Sequence, residues 1–279
     1  MVSASDGPLA GQHALLTGGG TGIGLASALA LAADGAQITL LGRSEEKLAR
    51  AVQAFPDDSR VSVHPADVAV EAEVEAAVRA ADGRQPLTIA IANAGTGDIA
   101  PLVMTDSDRW HAVLATNLDG CMFTFKHAAR AIGRAGGGAM CAISSIAGVR
   151  THRFMHAYTV SKAGIDMLVR GAADELGVAG IRVNSVCPGL VDTEMAQGLF
   201  GTEDVLEDYL ACMPLGRTGV VEDIARAVRF LSGPESSWIT GVNLPVDGGH
   251  HLRRGPNYET FSKAMFGDDV TRGRFDALD

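Results

Sequence analysis

Apolar residues along this chain come in short unbroken runs, each followed by an Ala- and Leu-rich stretch with helical spacing. The runs at 13–18, 36–42, 61–68, 87–95, 138–145, 181–189 and 242–249 read as strands. They are continuous rather than alternating, which is the pattern of strands covered on both faces. Between them, 22–34, 70–82, 106–134, 157–178 and 221–232 read as helices. Ser44 is placed as the N-cap of a further helix carrying Lys47, Leu48 and Val52, and Asp106 or Ser107 opens the long helix after it. Strand and helix alternate from one end to the other with no linker and no fixed-period repeat. This predicts a single α/β domain over 1–279, a doubly wound parallel sheet in three α/β/α layers. The regular pattern covers about 10–249 and leaves a C-terminal extension at 250–279.

Composition narrows the function more than the fold. Of 279 residues, 23 are Lys or Arg and 33 Asp or Glu, a formal net charge of −10. That charge repels phosphate backbones and anionic lipid, so neither nucleic acid nor a membrane surface is an expected partner. No apolar run is long enough for a membrane span, and the first twelve residues lack the basic and hydrophobic regions of a secretory signal. Cys121, Cys141, Cys187 and Cys212 form no paired motif and are expected as buried free thiols of a cytoplasmic protein. Glycine is abundant at 34, which suits tight turns and close backbone approach.

The chemistry gathers at predicted strand ends. The first strand runs into Thr17-Gly18-Gly19-Gly20-Thr21-Gly22-Ile23-Gly24 and then a helix. Glycines there let a backbone approach a pyrophosphate, and the helix N-terminus supplies amide donors. Asn93-Ala94-Gly95 closes the fourth strand, Ser144-Ser145 the fifth and Pro188-Gly189 the sixth. Asn117 sits inside the long helix, where its propensity is poor. Tyr158 and Lys162 lie four apart, on one face of one helix. His111, Asp119 and His127 read as surface or interface residues, and His250-His251 as a surface pair. His152 and His156 read equally as substrate contacts or solvated loop residues. No cluster has metal-ligand spacing, so no metal is expected.

TGGGTGIG, NAG, Asn117, Ser145, YTVSK, PG and a late DGG, in that order, resemble the short-chain dehydrogenase/reductase family over about residues 10–249. The resemblance implies a Rossmann-type fold and an NAD(P)-dependent enzyme interconverting a secondary alcohol and a ketone. It assigns Tyr158 as proton donor and acceptor, and Lys162 as the cation that lowers its pKa and binds the nicotinamide ribose. Ser145, thirteen residues before Tyr158, would hold the substrate oxygen, with Ser144 structural; Asn117 would hold a relay water. The cofactor would lie on Gly18, Thr21, Gly22, Ile23, Gly24, Arg43, Ser44, Asp67, Val68, Asn93, Ala94, Gly95, Pro188, Gly189, Val191 and Thr193.

NADP(H) is expected over NAD(H). No carboxylate follows the second strand at Gly42, and Arg43 and Ser44 offer a guanidinium and a helix-start amide to a 2′-phosphate. Thr21 in place of a second cation, and Glu45 and Glu46 nearby, weigh against it. The stretch after Thr193, where the family keeps its substrate lid, carries Met195, Leu199, Phe200, Val205, Leu206, Tyr209, Leu210 and Met213. With Phe154 and Met155 it favours a small hydrophobic ketone or alcohol: a 3-oxoacyl thioester, an alicyclic or terpenoid alcohol, a steroid or a dihydrodiol. The alternative readings are a catalytically silent cofactor-binding scaffold or a different catalyst on the same fold. A homo-oligomer, tetramer or dimer, is expected to form through helices 106–134 and 157–178. The extension, with Tyr258, Phe261, Met265, Phe266 and Phe275, is expected to lie near the pocket mouth or on a neighbouring subunit.

Overall fold

The strands alternate their side chains between two cores. In β1 (His13–Thr17), Leu15 enters one apolar cluster while Ala14 and Leu16 enter the other, which is why the run is apolar without interruption. The computed structural model describes residues 7–56 and 60–275. The reading of the first residues as lacking a signal falls mostly outside this range, as do the last four residues of the extension.

After β1 come α1 (Gly22–Ala33), β2 (Gln37–Gly42), α2 (Glu45–Val52), β3 (Val61–Pro65), α3 (Glu71–Arg84) and β4 (Ile89–Ala92). The second half follows with α4 (Ser107–Leu114), α5 (Gly120–Arg134), β5 (Gly138–Ile143), α6 (His156–Leu176) and β6 (Ile181–Pro188). Two short helices, α7 (Gln197–Phe200) and α8 (Glu203–Cys212), precede α9 (Val221–Ser232) and β7 (Asn243–Val246); α10 (Glu259–Phe266) and α11 (Asp268–Thr271) close the chain. The seven strands form one parallel sheet in the order β3-β2-β1-β4-β5-β6-β7. Helices α3, α5 and α6 cover one face, and α1 and α9 the other. Strand order reverses between β1 and β4, and ligands of open α/β sheets bind at the carboxyl ends beside such a point. Among the described residues, no helix is long and apolar enough to cross a membrane.

Several local expectations change. The long helix is not continuous: a π-helical turn at Ala115–Asp119 separates α4 from α5 and contains Asn117. Asp106 is the N-cap, accepting from the Arg109 amide at 2.9 Å. β4 stops at Ala92 because the Asn93 amide leaves the ladder and donates to Thr17 Oγ1 at 2.9 Å. His127 is buried and meets Glu71 at 3.1 Å, since α5 packs that face onto α3. His250 is fully buried, and His251 lies against Asp247 at 2.9 Å. Of the surface pair expected from sequence, His250 is thus buried, because the extension folds back over it, while His251 stays partly exposed. The four cysteines are free and buried, as expected.

A third apolar cluster explains that return. Phe154, Leu190, Val205, Tyr209, Met213 and Tyr258 pack together, joining the loop after β5, the lid helix α8 and the extension.

Candidate active site

Each wall of the site comes from one strand end. Gly18 and Gly22 adopt left-handed φ of 62° and 53°, which turns β1 into α1. A Cβ on Gly24 would stand 2.3 Å from Gly18 O, so helix and turn close-pack only as glycines. Thr21 is the N-cap of α1, yet its side chain caps no amide, leaving first-turn donors to another acceptor. Thr17 staples this turn to the next strand: its hydroxyl accepts from the amides of Asn93 and Ala94 at 2.9 and 3.1 Å. The Asn93 side chain returns the link, donating to Thr17 O and Gly18 O at 3.0 and 3.2 Å.

Beyond β5, Ser145 is extended and caps a short 3₁₀ turn, accepting from the Ala147 amide at 3.1 Å. Tyr158, on the first turn of α6, lines the same cavity beside it. Lys162 stands one turn further, with Nζ 5.5 Å from the centre of the Tyr158 ring and donating to Ile143 O at 2.8 Å. Ser144 lines the cavity too and donates to Lys162 O at 3.2 Å. Burial pushes the Tyr158 phenol up, and the neighbouring Ser145 hydroxyl opposes it. Burial also pulls Lys162 down to about 8. At neutral pH the pair is therefore a protonated phenol beside an ammonium.

Asn117 faces the same region from behind. Its Oδ1 accepts from the Thr96 amide at 2.8 Å, and Nδ2 donates to Thr96 O and Ser161 Oγ, both at 2.9 Å. The π turn accommodates an Asn here, and such turns gather at functional sites.

One cavity of about 860 Å³ connects these parts. Gly18, Thr21, Gly22, Ile23, Arg43, Asn93, Ala94 and Gly95 line it around the glycine turn, Pro188, Gly189, Val191 and Thr193 after β6, and Ser145, Tyr158 and Lys162 between β5 and α6. Five predicted residues stand outside that lining, each for a local reason. Gly24 is packed on Gly18. Ser44 uses its hydroxyl to accept from the Lys47 amide at 3.2 Å, capping α2. Asp67 accepts from the Ala69 amide at 3.0 Å and sits 3.8 Å from Arg43. Val68 packs against Gly120, where a Cβ would meet its Cγ2 at 2.8 Å. Asn117 is buried behind Thr96.

The lid splits its apolar residues. Met195, Leu199 and Tyr209 line the cavity, whereas Val205 and Met213 pack it onto the body. The sequence reading missed Thr17 and Ser161, although both lie inside motifs it used, because their work is to brace neighbours. It also missed Lys47, which lines the cavity and pairs with Glu194 across it at 2.8 Å. No motif marked that pair, whose members are far apart in sequence. Among the described residues no group of His, Cys, Asp or Glu could hold a metal.

A family model described as Enoyl-(Acyl carrier protein) reductase matches residues 18–251. Galactitol 2-dehydrogenase (L-tagatose-forming) of Cereibacter sphaeroides is 35% identical over 244 residues, spanning 87% of this chain and 96% of the relative. A short-chain type dehydrogenase/reductase from Mycobacterium ulcerans superposes with a TM-score of 0.90 at 40% identity, covering 94% of this chain and 98% of that one. A gluconate 5-dehydrogenase from Burkholderia cenocepacia, solved with NADP and tartrate, gives a TM-score of 0.83 at 33% identity, covering 87% and 96%.

Proposed function

The chain belongs to the short-chain dehydrogenase/reductase family, and from that premise we propose that Ser145, Tyr158, Lys162 and Asn117 interconvert a secondary alcohol and a ketone on a largely apolar substrate. It is an oxidoreductase acting on CH–OH groups with NAD(P). The observation that carries the assignment is the Ser145–Tyr158–Lys162 group on the wall of the cavity that begins at the glycine turn.

The residues fit a dinucleotide. A Cβ on Gly95 would lie 3.7 Å from Lys162 Nζ, and one on Gly97 3.8 Å from Tyr158 Cδ2, so side chains there would fill the channel beside the reactive groups. The uncapped amides of α1 suit a pyrophosphate. When bound, the cofactor supplies or accepts a hydride. Everything else falls to the chain. Tyr158 gives its hydroxyl proton to the substrate oxygen in reduction and recovers it in oxidation. Ser145 holds that oxygen beside the phenol. The Lys162 ammonium favours the phenolate that a departing proton leaves. Both amide hydrogens of Asn117 are engaged, so a relay water would find only acceptors on its side chain; its firm role is to hold Thr96 and Ser161 in place.

The substrate reading rests on the lining. Leu199, Met155, Ile99, Phe261 and Met265 surround the reactive end, which favours an alicyclic, steroid-like or acyl skeleton over a small polar one. Screening such ketones and alcohols for absorbance change at the reduced-nicotinamide band tests the assignment. Turnover of at least one class is expected, and silence across all of them with cofactor bound would favour the scaffold reading.

We extend the proposal to NADP(H). Arg43 lines the cavity with its side chain 74% exposed and 3.8 Å from Asp67, so it can turn toward a 2′-phosphate. Lys47 adds a second cation on the same side. A higher kcat/KM with NADP(H) than with NAD(H), lost in Arg43→Ala, is expected; wild-type preference for NAD(H) would reverse the assignment. We also propose a homo-oligomer, supported by exposed Val160, Ala163 and Met167 along α6, and a reducing, cytoplasmic setting, supported by four free thiols.

A further inference from the structure

The apolar end of the cavity contains one polar corner. His152, from the loop after β5, Tyr209, from α8, and Tyr258, from the C-terminal extension, all line it. All three are nearly inaccessible, at 6%, 4% and 1% exposure. The phenols of Tyr209 and Tyr258 hydrogen-bond each other, and the His152 ring centre lies 6.4 Å from that of Tyr258. Tyr158 lines the same cavity as all three.

Donors and acceptors do not balance there. Two hydroxyls bonded to each other use one proton between them, and the second finds no acceptor among the described residues. His152 Nδ1 meets Arg150 O at 3.0 Å; a carbonyl only accepts, so Nδ1 carries the hydrogen. Nε2 is then a lone-pair acceptor, and no protein donor among the described residues reaches it. On the cavity side the corner offers one O–H donor and the His152 ring-nitrogen acceptor; His250, packed against His152 and Tyr209 but outside the cavity lining, adds a buried Nδ1 without a hydrogen-bond partner. A hydroxyl group, which accepts one hydrogen bond and donates another, satisfies both. A carboxylate would leave Nε2 facing a second acceptor, and a methylene would leave both groups unpaired.

We infer that His152 and the Tyr209–Tyr258 pair form a specificity subsite for a second hydroxyl on the substrate, so that the enzyme's ketones and alcohols are hydroxylated apolar skeletons. Burial lowers His152 to about 4, so the ring stays neutral and keeps its lone pair across the working range. The subsite is built late in the chain. Arg254 pairs with Asp208 on α8 and Arg153 with Glu259 on α10, so the extension ties the two walls together and seats Tyr258 between them. The inference rests on Tyr158 being the proton-transferring group.

Reduction of 1- and 2-decalone and of their ring-monohydroxylated regioisomers, with the reduced dinucleotide supplied, tests it. Wild type should favour at least one hydroxylated isomer by about tenfold or more in kcat/KM over its parent ketone, as expected when an unmatched polar subsite penalises the analogue. In Tyr258→Phe and in His152→Ala that ratio should fall toward one. Cofactor affinity serves as the check that each variant is folded. A wild-type ratio near one, no turnover of any hydroxylated member, or a ratio that survives either substitution overturns the inference. Turnover of both ketone classes by Tyr158→Phe would be a different failure, that of the catalytic assignment on which it rests.

Discussion

At the scale of single residues, the ammonium of Lys162 is the group most at odds with its surroundings. It is buried, with Ile143 O as its hydrogen-bond partner, and its pKa falls from 10.5 to about 8. A depressed lysine binds fewer protons folded than unfolded between those values, so its contribution makes stability rise with pH from about 8 to 10.5. Below that window the charge opposes folding by roughly 3 kcal/mol at most. Lys162→Met removes this penalty and strands one carbonyl, which costs about 1 kcal/mol. The cofactor-free variant should therefore melt at or above wild type at pH 7 and lack the alkaline rise, while losing turnover. A variant markedly less stable at pH 7 would contradict this. The same titration should reduce ketone turnover as pH passes about 8, because the phenolate left on Tyr158 loses its counter-charge; reduction that accelerates above that pH would count against the role given to Lys162.

At the scale of elements, the β/α alternation and the strand-end motifs were legible because each follows from local physics: apolar runs, glycine turns and a four-residue helical spacing. The interruption of the long helix was not, because the π turn is stabilised by Asn117 reaching Thr96 and Ser161, partners remote in sequence. Neither was the burial of His250, since nothing near it announces that the extension will cover it. The aromatic content of the extension did signal that it must dock, though not that Tyr258 would enter the cavity. Its attachment is specific: Arg150 donates to His251 O at 2.6 Å, and the Asn257 amide to Asp208 at 2.7 Å. Truncation after Leu252 should expose the apolar faces of Phe154, Val205 and Tyr209, lower the melting temperature and weaken discrimination among substrates. A truncated enzyme with unchanged melting and kinetics would show that the extension contributes neither packing nor selectivity.

For the whole molecule, the outer face of α6 presents Val160 at 48% and Met167 at 62% exposure, beside the small residues Ala163 and Gly164. Trp238, at 98%, stands out on the far end of the sheet near β7. Apolar surface of this kind on two separate faces suits two different self-contacts and supports the proposed homo-oligomer, with a tetramer as the expected form. Sedimentation at micromolar concentration should give a tetramer, and Met167→Glu should reduce it; a wild-type monomer would refute the assembly.

The proposed chemistry depends on one group of atoms, the Tyr158 hydroxyl beside Ser145 and Lys162. The direct measurement is turnover of an accepted ketone by Tyr158→Phe, alongside reduced-dinucleotide binding by fluorescence. Removing one oxygen should lower kcat by about 10²- to 10⁴-fold while leaving cofactor binding close to wild type. A Tyr158→Phe enzyme that binds cofactor and retains more than about a tenth of wild-type turnover would contradict the account.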